Sequence, residues 1–495
     1  MKKYILAIDA GTTGITILLF DNNAKIVKRT YSEFNQIYPQ PSWVEHDPIE
    51  IWNTTQKLLY EIVENIDPKL IAAIGITNQR ETTVVWDRIT SIPIHNAIVW
   101  QCKRTSKKCE ELISSGYSDK FQSKTGLIID SYFSGTKINW ILNNITNAYD
   151  MAKRGDLAFG TIDTWLIWNL THRKSHLTDH TNASRTLIYN IDDKNWDTEL
   201  LKILDIPIQM LPKIQNSSAD FGLTNKSIFG VEIPISGVAG DQQSALYGQL
   251  AFEKGMAKCT YGTGCFMLTN TGANRINSQN GLLTTIACDA WGNPVYSIEG
   301  SVFIGGAVIQ WLRDELKLID NAAETDQIAR SVDSTNGVYI VPAFTGLGAP
   351  YWDMNSRGTI SGITRGTNSS HLVRASLESI AYQVYDLFTA VQLDMGSQSS
   401  ILQVDGGASQ NDFLMQFQAD ILNIKISRPE NIETTALGVA LLAGLSVKFW
   451  TSPDDFKNII KINKSFVSSI NSRNRSSLLA GWKETISKTL TRKKK

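Results

Sequence analysis

Two short segments constrain the fold of this chain more than any other feature. Near the amino terminus the apolar run Tyr4–Ile8 breaks at Asp9-Ala10-Gly11-Thr12-Thr13-Gly14 and resumes with β-branched residues through Ile15–Phe20. Near the middle, Cys259-Thr260-Tyr261-Gly262-Thr263-Gly264-Cys265-Phe266-Met267-Leu268 has the same arrangement, a Gly-Thr turn between two apolar strands. Recurrence at about 250 residues predicts two related halves, each opening with a strand, a turn and a strand. The chain has 495 residues, room for two to four domains at roughly 100–200 residues each. We expect one boundary near residue 250, giving an N-terminal domain 1–250 and a C-terminal domain 251–495.

Helices punctuate both halves. Asp47-Pro48-Ile49-Glu50 supplies an N-cap, a proline at the first helical position and an acid behind it, and apolar spacing continues through Trp52, Leu58, Leu59, Ile62 and Val63. His371–Val391 carries Val373, Leu377, Ile380, Val384 and Phe388 at helical period. Gly305–Leu316 and Thr434–Val447 read as helices, and Ile71–Thr77, Thr82–Trp86, Gly337–Val341 and Ile401–Val404 as strands. Strands alternating with helices make this an α/β chain. The polar stretch Gln215–Ile233 shows no period and reads as an excursion.

Composition excludes several classes. Lys plus Arg and Asp plus Glu each total 48, so the chain has no net charge to draw it to nucleic acid or an anionic membrane. At 42% hydrophobic and 19% charged residues it can bury large cores. Five cysteines without CxxC spacing suit buried thiols in a reducing compartment. The run after Met1-Lys2-Lys3 is too short for a secretory core, and none approaches a membrane span, so we expect a cytoplasmic protein. The basic tail Arg492–Lys495 reads as a solvated terminus.

Five segments could carry chemistry. Asp9–Gly14 is a glycine- and threonine-rich turn whose outward N–H groups would suit phosphate oxygens, with Asp9 able to hold Mg²⁺ through water, or it is an ordinary hairpin turn. It lacks the G-x-x-x-x-G-K-[ST] pattern of a P-loop. Asn78-Gln79-Arg80-Glu81 between two apolar strands could grip a polyol, or be a solvated loop with a surface ion pair. Asp241, in Ala239-Gly240-Asp241-Gln242, could take a proton from a substrate hydroxyl with Gln242 orienting that substrate, or could simply cap a helix. Gly406-Gly407 after a strand would let a flat base or a phosphate approach the backbone, or make a structural turn. The Gly346–Trp352 loop has the composition of a ligand edge. The histidines show no metal-ligand spacing.

Taken together these segments resemble the FGGY family of carbohydrate kinases, within the actin-like ATPase fold, from about Tyr4 to Trp482. Tyr132-Phe133-Ser134-Gly135-Thr136-Lys137-Ile138-Asn139-Trp140 is similar to the family's first signature, and Gly358 to Glu378 to its second. Gly75-Ile76-Thr77-Asn78-Gln79-Arg80-Glu81, Ala239-Gly240-Asp241-Gln242-Gln243 and Phe344-Thr345-Gly346-Leu347-Gly348-Ala349-Pro350-Tyr351-Trp352 resemble the members that phosphorylate glycerol. The resemblance implies two related actin-like (ribonuclease H-like) domains around a cleft for ATP and substrate. It implies that Arg80, Glu81, Tyr132, Asp241 and Gln242 bind glycerol hydroxyls, Trp100 and Phe266 line the apolar side, and Asp241 is the general base. It places Thr12, Thr13, Gly14 and Thr263 on the phosphates, Gly306, Gln310, Gly407 and Asn411 around the nucleoside, and Mg²⁺ near Asp9 and Asp241. Dimers or tetramers are common in the family. The nearest rivals are a kinase of another polyol or ketose and a non-catalytic polyol or nucleotide sensor.

Three features depart from the family. Its first loop usually reads D-x-G-T-T-S-x-R, whereas Gly14 and Thr16 stand here at the Ser and Arg positions. Thr224–Ile233 lacks the glycine-rich, Arg-containing loop that binds fructose 1,6-bisphosphate in some members, and Ser472–Ser476 does not match the phosphotransferase-protein site of bacterial relatives, so neither control is expected.

Overall fold

The computed structural model describes residues 2–397 and 399–491, and the basic tail Arg492–Lys495 lies outside them. Contacts divide the chain into two units. The first holds the residues up to Phe252 together with Thr284–Tyr296 and Thr434–Ile459, and the second holds Glu253–Leu283, Ser297–Glu433 and the segment from Ile460 onward. The chain first passes between units beside residue 250, and two later segments then return to the first unit.

The first unit is built on strands β1 (Tyr4–Ala10), β2 (Gly14–Phe20), β3 (Ile26–Glu33), β4 (Ile71–Asn78) and β5 (Ile235–Gly240), in the order β5-β4-β1-β2-β3. The Gly-Thr turn makes β1 and β2 antiparallel, whereas β4 and β5 run parallel to β1. β4 is buried at every position, as an inner parallel strand must be. β3 alternates between half-buried and exposed residues, as an edge strand does. Leu6, Ile8 and Ala10 share one core with Ile51, Leu58, Leu59 and Ile62 of the helix Pro48–Val63. That helix starts at Asp47, whose carboxylate accepts the Ile49 N–H at 2.8 Å.

The helix Thr434–Ser446 packs on β4 and β5. Backbone meets backbone there: a Cβ added to Gly75 would lie 2.3 Å from Val439 O, and one on Gly237 2.5 Å from Ala443 N. The helix Asp241–Gly248 packs on it just as closely, since a Cβ on Gly438 would fall 1.9 Å from Ser244 O. The excursion 215–233 runs back along its own unit, with bridges Ser218 to Gly237 and Leu223 to Pro234.

The second unit repeats the plan with β6 (Ala257–Tyr261), β7 (Cys265–Gly272), β8 (Ile401–Asp405), β9 (Lys425–Pro429) and β10 (Ile462–Phe466). β6 pairs antiparallel with β7 across the second Gly-Thr turn and parallel with β8. The helix Ser369–Met395 fills its core with Val373, Leu377, Ile380, Val384 and Phe388. Each unit is therefore a hairpin flanked by a parallel strand and covered by helices. All five cysteines are buried and none forms a disulfide. Among the described residues no helix is long and apolar enough to cross a membrane.

Candidate active site

Parallel strands end together, and the loops that follow them share one edge of the sheet. In the first unit Ala10 of β1 and Gly240 of β5 both stand level with Asn78 of β4. The residues that come next are the Gly11–Gly14 turn, Gln79-Arg80-Glu81 and Asp241-Gln242. Three segments far apart in sequence thus open on one edge.

Arg80 and Glu81 are 3% and 1% exposed, which rules out a solvated surface pair. Arg80 Nε lies 3.0 Å from Asp241 Oδ1, and its Nη1 donates to Gln243 Oε1 at 3.2 Å. Glu81 Oε1 accepts from Arg185 Nε at 2.6 Å. Glu81 has φ of 62°, a strained left-handed conformation for a residue with a side chain. Its carbonyl is fixed in that state by the hydroxyls of Thr83 (3.0 Å) and Ser134 (2.8 Å). The Arg185 guanidinium also stacks over Tyr132 and Phe133, and the Tyr132 ring meets the Trp100 ring edge-on at 5.5 Å. Lys137 is fully buried and donates to the carbonyls of Ser131 and Tyr132, both at 2.5 Å; burial pulls its ammonium down to about 8.

Asp241 is the first residue of its helix, not its cap. Gly240 is the cap residue, without a side chain to cap with, and Asp241 Oδ1 accepts only the N–H of its neighbour Gln242 within that turn, at 2.7 Å. Its carboxylate remains 30% exposed while Gln242 is buried beside it. The strand end before it is pinned: Gly240 N donates to Thr181 Oγ1 at 2.8 Å, and Thr181 and Ser217 both donate to the buried Asp179.

In the first turn Thr12 is half-buried and Thr13 exposed. Trp100 Nε1 donates to Thr12 Oγ1 at 3.0 Å. Gly14 has no room for a side chain, because a Cβ would sit 2.7 Å from Ser32 O and 2.9 Å from the Tyr31 ring. Thr16 stands in register between Asp9 and Tyr31.

The second unit contains a cavity of about 720 Å³ lined by Thr263, Gly306, Gln310, Gly407 and Asn411, the five residues expected around a nucleotide there, together with Arg313 and Asp326. Gly306 N donates to Gly262 O and Gly305 N to Thr263 O, stapling the second Gly-Thr turn to this wall. Position 406 requires glycine, both for its φ of 83° and because a Cβ would lie 2.7 Å from Tyr261 O, while beside Gly407 there is open space. The Asn411 side chain caps the helix Asp412–Leu422 by accepting from Leu414 N and donates to Thr325 Oγ1 at 3.0 Å. Phe266 is half-buried on β7. The Gly346–Trp352 loop does not line this cavity. Trp352 Nε1 donates to Gly281 O and Tyr351 to Asp386, which ties the loop to its own unit.

Sequence reasoning missed Asp179, Arg185, Arg313 and Asp326. Arg185 stands among small residues, Asn182-Ala183-Ser184-Arg185-Thr186, with no spacing that points to Glu81. Among the described residues no cluster of three or more His, Cys, Asp or Glu could hold a metal alone. Asp9 lies one residue before the end of β1 and Asp241 follows the end of β5 with its carboxylate 30% exposed, so both stand at the edge where Mg²⁺, which binds through one or two carboxylates plus substrate phosphates, would be held.

A hairpin-and-parallel-strand unit built twice, one copy with buried polar groups at its strand ends and the other with an open glycine-edged cavity, defines an actin-like phosphotransferase architecture. Residues 4–248 match the N-terminal domain, and residues 257–447 the C-terminal domain, of the FGGY family of carbohydrate kinases, and the chain belongs to that family. It is 55% identical over 492 residues to the glycerol kinase of Thermoanaerobacter sp. (strain X514), covering 99% of each chain. It is 56% identical over 490 residues to the glycerol kinase of Carboxydothermus hydrogenoformans, covering 98% of each. Among solved structures it resembles the Plasmodium falciparum glycerol kinase with ADP, with a TM-score of 0.93, 39% identity and 99% of each chain covered.

Proposed function

We propose that this enzyme transfers the γ-phosphoryl group of ATP to a terminal hydroxyl of glycerol, giving sn-glycerol 3-phosphate and ADP in glycerol catabolism. Full-length relatives named glycerol kinases at 55% identity support the substrate. The single observation that carries the mechanism is the Asp241 carboxylate, partly open, held 3.0 Å from Arg80 beside the buried Glu81–Arg185 pair.

Glycerol offers little area, so its recognition rests on hydrogen bonds whose loss costs ~1–3 kcal/mol each. Arg80 donates to hydroxyls, Glu81 and Asp241 accept from them, and Tyr132 and Gln242 complete the polar set. Trp100 and Phe266 give the apolar side. The attacking oxygen forms its bond to the γ-phosphorus as the bond to the β–γ bridging oxygen breaks, and its proton passes to Asp241. Because the transition state is loose, a positioned carboxylate suffices as base. Thr12, Thr13, the amide of Gly14 and Thr263 donate to phosphate oxygens, while Gly306, Gln310, Gly407 and Asn411 hold the nucleoside. Asp9, through water, and Asp241 would hold Mg²⁺, which would supply charge neutralisation of the phosphates. Work in the cytoplasm suits both the ATP and the five unpaired thiols, and a homo-oligomer, measurable by light scattering, belongs to the same reading.

The test is product identity. With Mg-ATP and glycerol, ³¹P NMR is expected to show sn-glycerol 3-phosphate, with kcat/KM for D-xylulose and gluconate far lower. A ketose or sugar acid preferred over glycerol would overturn the substrate.

A further inference from the structure

The first Gly-Thr turn is held from behind by a chain of uncharged side chains. Gln79 Nε2 donates to Gly11 O at 3.0 Å and also contacts His46 Nδ1 at 3.3 Å, while its Oε1 accepts from Thr82 Oγ1 at 2.9 Å. His46 Nε2 meets Gln36 Oε1 at 2.8 Å, and Gln36 Nε2 donates to Thr12 O at 3.0 Å. One proton arrangement satisfies every link. The Gln79 amide donates to Nδ1, and Nε2–H donates to the Gln36 carbonyl, which fixes the imidazole as the neutral Nε2–H tautomer. His46 is wholly buried, its ring edge-on to Phe34 at 4.9 Å, and burial pulls its pKa down to about 4, so this form persists at neutral pH.

The consequence lies in the direction of the peptide groups. With the carbonyls of Gly11 and Thr12 drawn inward to two glutamine amides, the turn's N–H groups are left for an anion. On the other side Trp100 Nε1 donates to Thr12 Oγ1, which leaves the Thr12 hydroxyl proton to donate elsewhere. Gln79 is moreover the residue before Arg80, so the same chain adjoins the polyol-binding segment.

We propose that His46 is a positioning residue for phosphate binding: through Gln36 and Gln79 it holds the Gly11–Thr12 carbonyls inward and so presets the turn for the phosphates of ATP. This rests on the phosphotransfer reading above. His46 touches no substrate and acts only through the two glutamines.

The test uses His46→Phe, which keeps a ring but no polar atoms, and Gln36→Leu, which cuts the same chain at a half-buried position. Calorimetry gives Kd for Mg-ATP and for glycerol separately, and turnover of the wild type is assayed in parallel. Each variant is expected to bind Mg-ATP roughly tenfold more weakly, the scale of one lost internal hydrogen bond. Glycerol Kd should be unchanged, and the double variant no weaker than the weaker single one. Wild-type turnover with unaltered Mg-ATP affinity in both variants would overturn the role of His46 and leave the kinase reading intact. Equal weakening toward glycerol and ATP would also overturn it, by showing general loosening. A wild type that binds no Mg-ATP would overturn both.

Discussion

Arg80 is held between two carboxylates, 3.0 Å from Asp241 and 4.0 Å from Glu81, with its side chain 2% exposed. Removing one member of a buried ion pair costs about 3–5 kcal/mol. Arg80→Ala should therefore lower stability, and, by removing a charged donor to the glycerol hydroxyls worth ~1.5–3 kcal/mol, lower kcat/KM for glycerol roughly ten- to a hundredfold, read by steady-state kinetics. Thr16 faces the opposite experiment. It stands level with Asp9 and Tyr31, and an arginine there would add a cationic donor beside the phosphate turn. Thr16→Arg is expected to raise kcat/KM for ATP by up to about tenfold, the scale of a charge-assisted hydrogen bond, and an unchanged or lower value would contradict that. At this scale Arg80 and Glu81 were legible because two charges interrupted two apolar strands. Arg185 was not, since its contact with Glu81 spans 104 residues, and the Gln79–His46–Gln36 chain was not, because no spacing links its members.

Secondary elements decide how firmly those residues are held. Both Gly-Thr hairpins could be read from apolar runs broken by short polar turns, and the structure places them in equivalent positions of two sheets. The helix Thr434–Ser446 could be located as well, but not its return to the first unit. It is buried on nearly every side, so its sequence marks no face and names no partner. The role of Asp241 was ambiguous for a related reason, because cap and first helical residue differ by one position of register. Gly438 lets that helix lie against Ser244, three residues beyond Asp241. Gly438→Ala would force the backbones apart, costing ~1–3 kcal/mol of stability and displacing Asp241. A lower denaturation midpoint together with a reduced kcat is the expected result.

For the whole molecule, acid stability reports the buried chemistry. His46 titrates near 6.5 when unfolded and near 4 when folded. Between those values the unfolded chain binds a proton that the folded one does not, so acidification favours unfolding. The difference corresponds to about 3 kcal/mol, lost as pH falls from 6.5 to 4. Glu378 and Asp386, raised to about 7 by burial, bind protons in the folded state and act in the opposite sense. The effect should therefore be read as a difference: across this range the wild type should lose more unfolding free energy than His46→Phe. Among the described residues the groups seen against His46 are the uncharged Phe34, Gln36 and Gln79, and none forms an ion pair that would offset its desolvation. The central claim is phosphoryl transfer to glycerol with Asp241 as base, and ADP release from Mg-ATP with and without glycerol tests it most directly. The account predicts release that depends on glycerol in the wild type and disappears in Asp241→Ala. Glycerol-dependent release that persists in Asp241→Ala would contradict the base, and its absence from the wild type would contradict the enzyme.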